Sequence, residues 1–461
     1  MRYRVVGFLG FILLTTLFVG CGLSADVEQK RRVIVTCDPE LDDNNSLIRY
    51  LLYATDFDTE GLVYASSQVH WKGDGKGTTQ YLPGKEYSRP GRDLGPQTSW
   101  RWAEGERFID DVVEAYAKVY DNLKIHDPNY PTPEYLKSII CFGNVEFEGD
   151  ISHDSDGSNL IKRCLLDDDP RPLFIQVWGG PSTVARALKS IEEQYRNTPE
   201  WEAIRAKVSA KAKLCLSGEQ DATFREYIHP VWPDVESVVV NSGMTSLGYG
   251  AKRGVIEKRD TIYFSTDWTT RNIKSRGALG EQYRVWGDGK QMSEGDFTDY
   301  FGLSGFSAEE LVAQGYWVWT PPQPKGNFIS EGDTPVFLNL IGNGLRAYEH
   351  VEWGGWGGRL ELKEGEKRPL SVALFAMRGE RNEVLPIFLP AIQNDFAARM
   401  AWSVADNYAD ANHHPVVEAP FEMEAKAGQT VKIRARVSDP DDDNLRLEWR
   451  QYQVGSLKQS I

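Results

Sequence analysis

VIVTCDPELDDN, residues 33–44, carries the strongest evidence for the fold of this chain. Its first four residues belong to a β-branched run, and this run predicts a buried strand over Arg32–Thr36. Apolar residues then follow with helical spacing over Ser46–Tyr53, and Gly61–Ala65 has the composition of a second strand. This order of strand, turn, helix and strand predicts a βαβ unit and therefore a parallel sheet.

The same pattern recurs further along the chain. Leu173–Trp178 is predicted as a strand that leads through a glycine-containing turn into a helix over Thr183–Tyr195. Val238–Val240 and Ser371–Phe375 are further strand candidates, and Leu389–Tyr408 is predicted as a final helix. We therefore expect an α/β fold with a mostly parallel central sheet flanked by helices.

A different pattern begins after residue 412, which we take as the end of the α/β domain that starts at residue 26. Thr430–Val437 and Leu445–Trp449 alternate apolar and polar residues with period two, as exposed strands do. We interpret residues 413–461 as part of an Ig-like β-sandwich module. Because such modules have about seven strands, we expect this one to be truncated or incomplete.

Residues 1–25 have the order of an export signal: Arg2 and Arg4, an apolar run, and then small residues. Leu17–Cys21 resembles a lipoprotein cleavage box in which Cys21 becomes the lipidated N-terminus, and the alternative is cleavage after Ala25. We expect an exported protein that is periplasmic, an outer-membrane lipoprotein or extracellular. Only the lipid anchor would connect it to a membrane.

The chain has a formal net charge of −15 and a pI of about 5.1. An acidic surface repels the phosphate backbone, so these values argue against nucleic acid as a partner.

Asp38, Glu40, Asp42 and Asp43 follow the first strand directly. In open α/β sheets, ligands bind outside the carboxyl ends of the strands. Carboxylates this close repel one another unless a cation or protons neutralise them, and oxygen ligands alone favour a hard cation such as Ca²⁺ or Mg²⁺. The alternative is that Asp42 or Asp43 only caps the following helix.

Residues 33–44 also resemble the N-terminal aspartate signature of nucleoside hydrolases, in the variant found in the nucleoside-hydrolase-like domain of a group of cellulose-binding proteins. That group belongs to the inosine/uridine-preferring nucleoside hydrolase superfamily. The resemblance covers roughly residues 31–415 and includes four later blocks in the same order: Tyr130–Leu136, Val177–Pro181, Glu331–Pro335 and Glu352–Arg359.

The resemblance implies a Ca²⁺ site and a reaction in which water attacks the anomeric carbon of a sugar through an oxocarbenium-like state. Asp38, Asp43, Asp333 and the backbone carbonyl of Gly179 match the positions of metal ligands. Asp42 matches an aspartate shared between the metal-bound water and a sugar hydroxyl, and Asp333 also contacts the sugar. Asp38 is the implied general base, and Asp38 and Asp42 together are the implied catalytic pair.

The substrate half of the site departs from the family pattern. Glu40 replaces the signature glycine, and Gln68 stands about where a sugar-binding asparagine is expected. Gly332 occupies the position where some nucleoside hydrolases have a histidine that assists the leaving purine. These departures argue against nucleosides as substrates.

Further substrate contacts are open to two interpretations each. Glu331 is a candidate general acid or a surface and capping residue. His70, just after the second predicted strand, is a candidate substrate contact or a structural histidine. Trp353, Trp356 and Arg359 lie in a glycine-rich segment where aromatic rings could stack on a sugar, and core packing is the alternative.

The leading hypothesis is an exported, Ca²⁺-dependent hydrolase of glycosyl bonds that uses a metal-activated water. Its substrate would be an N-glycoside, a furanoside or a glycan fragment. The alternative from another class is a non-catalytic protein that binds a carbohydrate such as a cellulose-like glycan. A third hypothesis is that the protein acts in nucleoside salvage, and the predicted export signal argues against it.

Overall fold

The structure is a computed structural model that describes residues 29–240, 247–250, 253, 256–350, 353–358, 384–420, 423–426 and 428–449. The predicted export signal, the strand candidate Ser371–Phe375 and Arg359 lie outside the described residues.

A six-stranded parallel sheet forms the centre of the molecule, with the strand order β5-β2-β1-β6-β7-β8. Its strands are β1 (Arg31–Cys37), β2 (Phe57–Tyr64), β5 (Ile140–Phe142), β6 (Leu173–Val177), β7 (Ala212–Ser217) and β8 (Glu236–Val240). Two very short antiparallel strands, β3 (Ser88–Arg89) and β4 (Arg92–Asp93), pair with each other in the long loop after β2. The predicted α/β fold with a parallel sheet is confirmed.

Helices cover the sheet and connect its strands. They are α1 (Leu41–Leu52), α2 (Phe108–His126), α3 (Pro133–Ser138), α4 (Asp156–Leu166), α5 (Ser182–Tyr195), α6 (Trp201–Lys211), α7 (His229–Val231), α8 (Thr266–Thr269), α9 (Gly277–Gln282), α10 (Ala308–Ala313), α11 (Thr334–Leu338) and α12 (Val384–Trp402). The final predicted helix is present, but α12 ends at Trp402 and not at Tyr408.

Strand β1 lies near the middle of the sheet, and all seven of its residues are buried. Val33 and Val35 point into the core on the face covered by α1 and α2, whereas Ile34 joins Ile175 in the core on the opposite face. A strand covered on both faces must be apolar throughout, which is why the sequence of β1 is a continuous β-branched run.

The tail contributes a single antiparallel pair, β9 (Val416–Glu418) with β10 (Arg436–Ser438). The predicted strand Thr430–Val437 overlaps β10 only at its end, and Leu445–Trp449 has no strand assignment. Every residue of both strands is exposed, because no second sheet covers them among the described residues. The described part of the tail therefore contains a two-stranded antiparallel ribbon. No helix in the described part of the chain is long and apolar enough to cross a membrane.

Candidate functional site

Five carboxyl groups gather at the carboxyl end of β1. We call them the acidic cluster, and they belong to Asp38, Glu40, Asp42, Asp43 and Asp333. The turn between β1 and α1 is closed by a hydrogen bond from Glu40 N to Asp38 O at 2.8 Å. Asp42 and Asp43 follow in the first turn of α1, where the helix dipole favours negative charge. The structure thus brings together the four aspartates predicted from the sequence.

Asp38 is completely buried at the centre of the cluster. Its Oδ2 lies 3.0 Å from Nδ1 of His70, and its backbone N donates to Oδ1 of Asp43 at 3.1 Å. Its Oδ1 is also buried but has no hydrogen-bond partner within the part of the chain that the structure describes. Because an unsatisfied buried oxygen costs free energy, this atom is the one most in need of a ligand.

Asp42 and Glu40 share one donor. Tyr249 Oη lies 3.1 Å from Asp42 Oδ1 and 3.2 Å from Glu40 Oε1, and Ser330 Oγ lies 3.4 Å from Asp42 Oδ2. A phenol has one proton, so Tyr249 can donate to only one of the two carboxylates at a time. Burial, reinforced by the charge of Asp42, raises the pKa of Glu40 to about 8.

Asp333 reaches the cluster from the loop that precedes α11, nearly 300 residues after Asp38. Its side chain hydrogen-bonds to Ser217, at the end of β7, and to Asp43. Burial raises the pKa of both Asp43 and Asp333 well above the usual range, and each also feels neighbouring carboxylates. Two carboxyl groups in contact need a proton or a cation between them.

Gly179 follows β6, the neighbour of β1, and its backbone lies against Asp38. A Cβ at Gly179 would lie 3.1 Å from Asp38 Cβ, and a Cβ at Gly180 would lie 2.4 Å from Asp221 Oδ2. Asp221 is buried and accepts a hydrogen bond from Ser182 N at 3.0 Å, which holds this turn in place. The two glycines are therefore needed for the backbone to approach the acidic cluster.

The acidic cluster has no Lys or Arg ion-pair partner among the described residues. Among the described residues, no Lys or Arg nitrogen lies within 4.0 Å of its carboxylate oxygens, and His70 is the one ion-pair candidate. Arg101 acts on Glu40 from a longer distance. An all-oxygen set suits Ca²⁺. The groups that would hold it are the partnerless Oδ1 of Asp38, the carboxylates of Asp43 and Asp333 and the nearby Gly179 carbonyl.

Two of the predicted substrate contacts lie in the loop after β2, beside the cluster. His70 is buried and contacts Asp38 directly, so it orients that carboxylate. Gln68 lies further out: its backbone N donates to Gln220 O at 2.7 Å, and its Oε1 accepts from Lys85 Nζ at 3.4 Å. His70 is thus at the centre of the site and Gln68 is at its rim.

The structure places the predicted substrate contact Glu331 in a buried ion pair. Its carboxylate is fully buried and receives hydrogen bonds from the Arg49 guanidinium at 2.5 and 3.1 Å, from Tyr283 at 2.5 Å and from Thr334 at 3.0 Å. All its acceptor positions are engaged, so Glu331 is a structural ion-pair partner. Sequence could not show this because Arg49 lies on α1, far away in the chain.

The structure also does not bring Trp353 and Trp356 to the acidic cluster. The Trp353 ring contacts His350 and Arg346, close to the segment that packs on Arg31 at the amino end of β1. Trp356 packs against the hydrophobic core. Gly355 and Gly357 pack closely on α11 and the residue after it: a Cβ at Gly357 would lie 2.0 Å from Pro335 O, and one at Gly355 would lie 2.6 Å from Asn339 Oδ1. Trp356 therefore packs on the core, whereas Trp353 is partly exposed and packs on His350 and Arg346.

Two site residues were not predicted. Tyr249 contacts Asp42 and Glu40, and Trp319 packs edge-on against its ring at a centroid distance of 4.5 Å while remaining 38% exposed. Trp319 lies in the loop between α10 and α11. Nothing in the local sequence marks Tyr249, because its importance comes from long-range contacts.

Comparisons with known proteins agree with this fold. The family model for the cellulose-binding Sde182 nucleoside hydrolase-like domain matches residues 32–360. A solved structure of a nucleoside hydrolase-related hypothetical protein from Saccharophagus degradans, associated with carbohydrate metabolism, is 26% identical. The match covers 94% of this chain and 88% of that chain with a TM-score of 0.64. No curated protein matches significantly.

Proposed function

Because this chain belongs to the family with the cellulose-binding, nucleoside hydrolase-like domain, we propose that it is an exported hydrolase of glycosyl bonds that depends on Ca²⁺. The family and the fold give the framework of the site. The reaction, the cation and the location outside the cytoplasm are parts of the proposal.

One observation carries the proposal. Five carboxyl groups share a buried site that has no Lys or Arg partner among the described residues, and the Oδ1 of Asp38 has no hydrogen-bond donor. Such an arrangement costs stability when the carboxylates are ionised, so a merely structural role would not explain it. A divalent cation relieves both the repulsion and the unsatisfied oxygen. When bound, Ca²⁺ would orient a sugar hydroxyl and make a nearby water more acidic.

The side chains of the acidic cluster have separate roles in the proposed reaction. Asp38 is held by His70 through Oδ2, so the lone pair of Oδ1 that does not face the cation can take a proton from the attacking water. Asp42 is fixed by Tyr249 and Ser330, so its carboxylate can accept a hydrogen bond from a sugar hydroxyl. The water would form a bond to the anomeric carbon as the bond to the leaving group breaks, through an oxocarbenium-like state.

The aromatic side of the cleft supports a sugar ligand. Trp319 exposes part of its ring next to Tyr249, and Phe301 stacks on Tyr249 at 5.2 Å and packs edge-on against Trp319 at 5.7 Å. An exposed aromatic face above a polar site suits the apolar face of a sugar ring. The substrate would be a furanoside, an N-glycoside or a glycan fragment.

A non-catalytic carbohydrate-binding role is the second candidate, and the position of Glu331 favours it. Glu331 was the candidate acid for the leaving group, but Arg49 and Tyr283 engage its carboxylate completely. Without such an acid, only substrates whose leaving group needs little protonation would be cleaved readily.

The test uses the full chain and measures released sugar from nucleosides, aryl furanosides and plant-wall oligosaccharides. It is run with Ca²⁺, with a chelator, and with Asp38→Asn. We expect Asp38→Asn to lower turnover by about 10²- to 10⁴-fold because it removes the proton acceptor. Asp168→Asn is the matched control, because that side chain is fully exposed on the surface, and it should leave turnover unchanged.

The outcomes separate the two candidates. Turnover that disappears both with chelator and in Asp38→Asn supports the hydrolase. If no substrate is cleaved but an oligosaccharide binds wild type and Asp38→Asn equally well, the binding role replaces it. Turnover that is unaffected by the chelator would contradict the dependence on Ca²⁺.

A further inference from the structure

The hairpin formed by β3 and β4 carries two arginines that lie opposite each other. Arg89 and Arg92 are direct partners across the two strands, and the turn between them consists of Pro90 and Gly91. Gly91 has a φ of 84°, as a type II turn requires of the residue that follows proline. Residues paired in this way have side chains on the same face, with Cβ atoms about 5 Å apart. The hairpin is therefore a short, rigid support for two guanidinium groups.

Each guanidinium lies over an aromatic ring. The guanidinium carbon of Arg89 lies 3.8 Å from the centre of the Trp317 ring, and that of Arg92 lies 3.6 Å from the centre of the Phe297 ring. Trp317 and Phe297 are neighbours, because Trp317 N donates to Phe297 O at 2.9 Å. A guanidinium over a ring uses one of its faces, and its N–H donors remain at the edge. The rings thus hold both groups and leave donors for a ligand.

Neither arginine is balanced by a carboxylate. No Asp or Glu oxygen lies within 4.0 Å of either guanidinium in the described part of the chain, although the sequence has 67 Asp and Glu against 52 Lys and Arg. Arg92 donates to Gly315 O at 3.1 Å, whereas Nε of Arg89 is buried without an acceptor among the described residues. Opposed like charges and a buried donor without an acceptor both cost free energy. An anion bound between the two guanidiniums relieves both costs.

The two arginines lie next to the aromatic side of the cleft. Trp319 follows Trp317 by two residues, so their Cα atoms are at most about 7 Å apart. The Nε1 of Trp319 donates to Thr298 O at 3.3 Å, which anchors it to the segment that contains Phe297. A glycan with one ring on Trp319 can therefore extend another ring towards Arg89.

We propose that Arg89 and Arg92 form a subsite for the carboxylate of an acidic sugar, so that the ligand of the cleft is a glycan that contains a uronate residue. A carboxylate suits this pair because its two oxygens can accept from planar guanidinium edges at the same time. The inference rests on the proposed function in that a sugar occupies the cleft at Trp319. It names the class of glycan, which the acidic cluster alone does not.

The experiment compares two ligands of similar shape: a trisaccharide of galacturonic acid and its uncharged methyl ester. Each is titrated calorimetrically, with saturating Ca²⁺, into the full chain carrying Asp38→Asn to prevent turnover. We expect the acid to bind about tenfold more tightly than the ester, because only the acid forms charge-assisted hydrogen bonds with the arginines.

Arg89→Met and Arg92→Met, each added to this chain, should weaken binding of the acid about tenfold, because methionine keeps contact with the ring but donates no hydrogen bond. Binding of the ester should change by less than about twofold, which also shows that the variants are folded. Arg89→Lys should lose less than Arg89→Met, since an ammonium keeps the charge without the planar fork.

Arg107→Met is the matched control. It removes the same charge from a guanidinium that already pairs with Glu114 on the surface. Both trisaccharides should bind this variant like the chain with all its arginines. A loss of acid binding as large as in Arg89→Met would show that net charge alone attracts the ligand, and would overturn the subsite.

The remaining outcomes separate the subsite from the proposed function. Equal binding of acid and ester, or equal losses of both in Arg89→Met, would mean that the arginines only hold the hairpin on the rings, and would overturn the subsite. Failure to bind either trisaccharide while neutral glycosides are cleaved with Ca²⁺ overturns the subsite and leaves the proposed function intact. If no glycoside is cleaved but the acid binds through Arg89 and Arg92, the subsite holds and the hydrolase gives way to the binding role.

Discussion

The two ends of β1 hold charged groups in opposite ways. At the amino end, Arg32 is buried and pairs with Glu60 and with Asp167, whose carboxylate also receives Lys211. At the carboxyl end, the acidic cluster has no Lys or Arg partner in the described structure. The same strand therefore carries a neutralised ion-pair network at one end and an uncompensated group of carboxylates at the other.

This difference separates stability from function. A buried cation that is already paired with carboxylates has no free capacity for a ligand, so the amino end can only stabilise the fold. Buried like charges destabilise the fold unless something outside the chain neutralises them. The carboxyl end is consequently where a cation and a substrate are expected, in agreement with the position of ligands in other open α/β sheets.

Arg32→Met should produce the largest loss of stability. It would leave Glu60 and Asp167 without the buried guanidinium that pairs with both. Removing one partner of a buried ion pair costs about 3 kcal/mol or more. Because Glu60 and Asp167 are partly exposed, we expect the free energy of unfolding to fall by only about 3 kcal/mol. The free energy of unfolding, measured with denaturant, provides the value.

Arg107→Met is the control for this change, because Arg107 pairs with Glu114 on the surface, where both side chains are about half exposed. It should cost less than about 1 kcal/mol. Ca²⁺ binding should be unchanged in Arg32→Met, since six residues of β1 separate Arg32 from Asp38 by roughly 20 Å. A large loss of Ca²⁺ affinity in this variant would show that the two ends are not independent.

The second prediction concerns the pH dependence of stability at the carboxyl end. Asp221 holds the Gly180 turn through neutral donors only, Ser182 N and Thr223, and burial raises its pKa to about 6. The folded state then binds a proton more tightly than the unfolded state, whose pKa is about 3.9. Protonated Asp221 therefore stabilises the folded state fully below about pH 4. This contribution is lost as pH rises to about 6, which lowers the free energy of unfolding by about 2 kcal/mol. Asp221→Asn should remove this part of the pH dependence.

A carboxylate at the amino end should behave in the opposite way. The hydrogen-bonded Arg171 guanidinium lowers the pKa of Asp169, so Asp169 stabilises the folded state above the usual aspartate pKa and loses this contribution as pH falls. Asp169→Asn should therefore become relatively less harmful in acid. Denaturant unfolding of both variants from about pH 2 to pH 7 tests the contrast, since Asp169 acts below about pH 4 and Asp221 above it. Equal pH slopes in wild type and Asp221→Asn would contradict it.

Much of the fold and the acidic part of the site could be predicted from sequence. The βαβ order around β1 depends on local periodicity, and Asp38, Asp42 and Asp43 are adjacent to the strand end that binds ligands. Asp333 was found because it lies in one of the blocks that resemble the family. Each of these signals is either local or carried by a motif.

What sequence missed depends on contacts between distant segments. A glutamate such as Glu331 could serve as a general acid, and only the position of Arg49 on α1 shows that its carboxylate is engaged in an ion pair. Trp353 lies in a glycine-rich segment, and only the approach to Pro335 and Asn339 shows that the glycines serve packing. Tyr249 gains its role from Asp42, more than 200 residues earlier. None of these long-range contacts is marked by a pattern in the neighbouring sequence.

The smallest expected effect concerns the aromatic side of the cleft. Trp319→Ala should weaken carbohydrate binding about tenfold, which corresponds to about 1.4 kcal/mol, because it removes an exposed ring next to Tyr249 without touching the acidic cluster. Calorimetric titration of an oligosaccharide into the Asp38→Asn protein measures binding without turnover. Trp319→Phe should lose less, since a smaller aromatic face remains.

Trp353→Ala provides a matched control, because Trp353 is 39% exposed and Trp319 is 38% exposed. The two rings differ in their neighbours: Trp319 packs on the tyrosine that contacts Asp42, whereas Trp353 packs on His350 and Arg346. If exposure alone decided sugar binding, both variants would lose affinity equally. If the unpaired carboxylates define the ligand site, only Trp319→Ala will lose affinity, and a loss confined to Trp353→Ala would place the carbohydrate away from the acidic cluster.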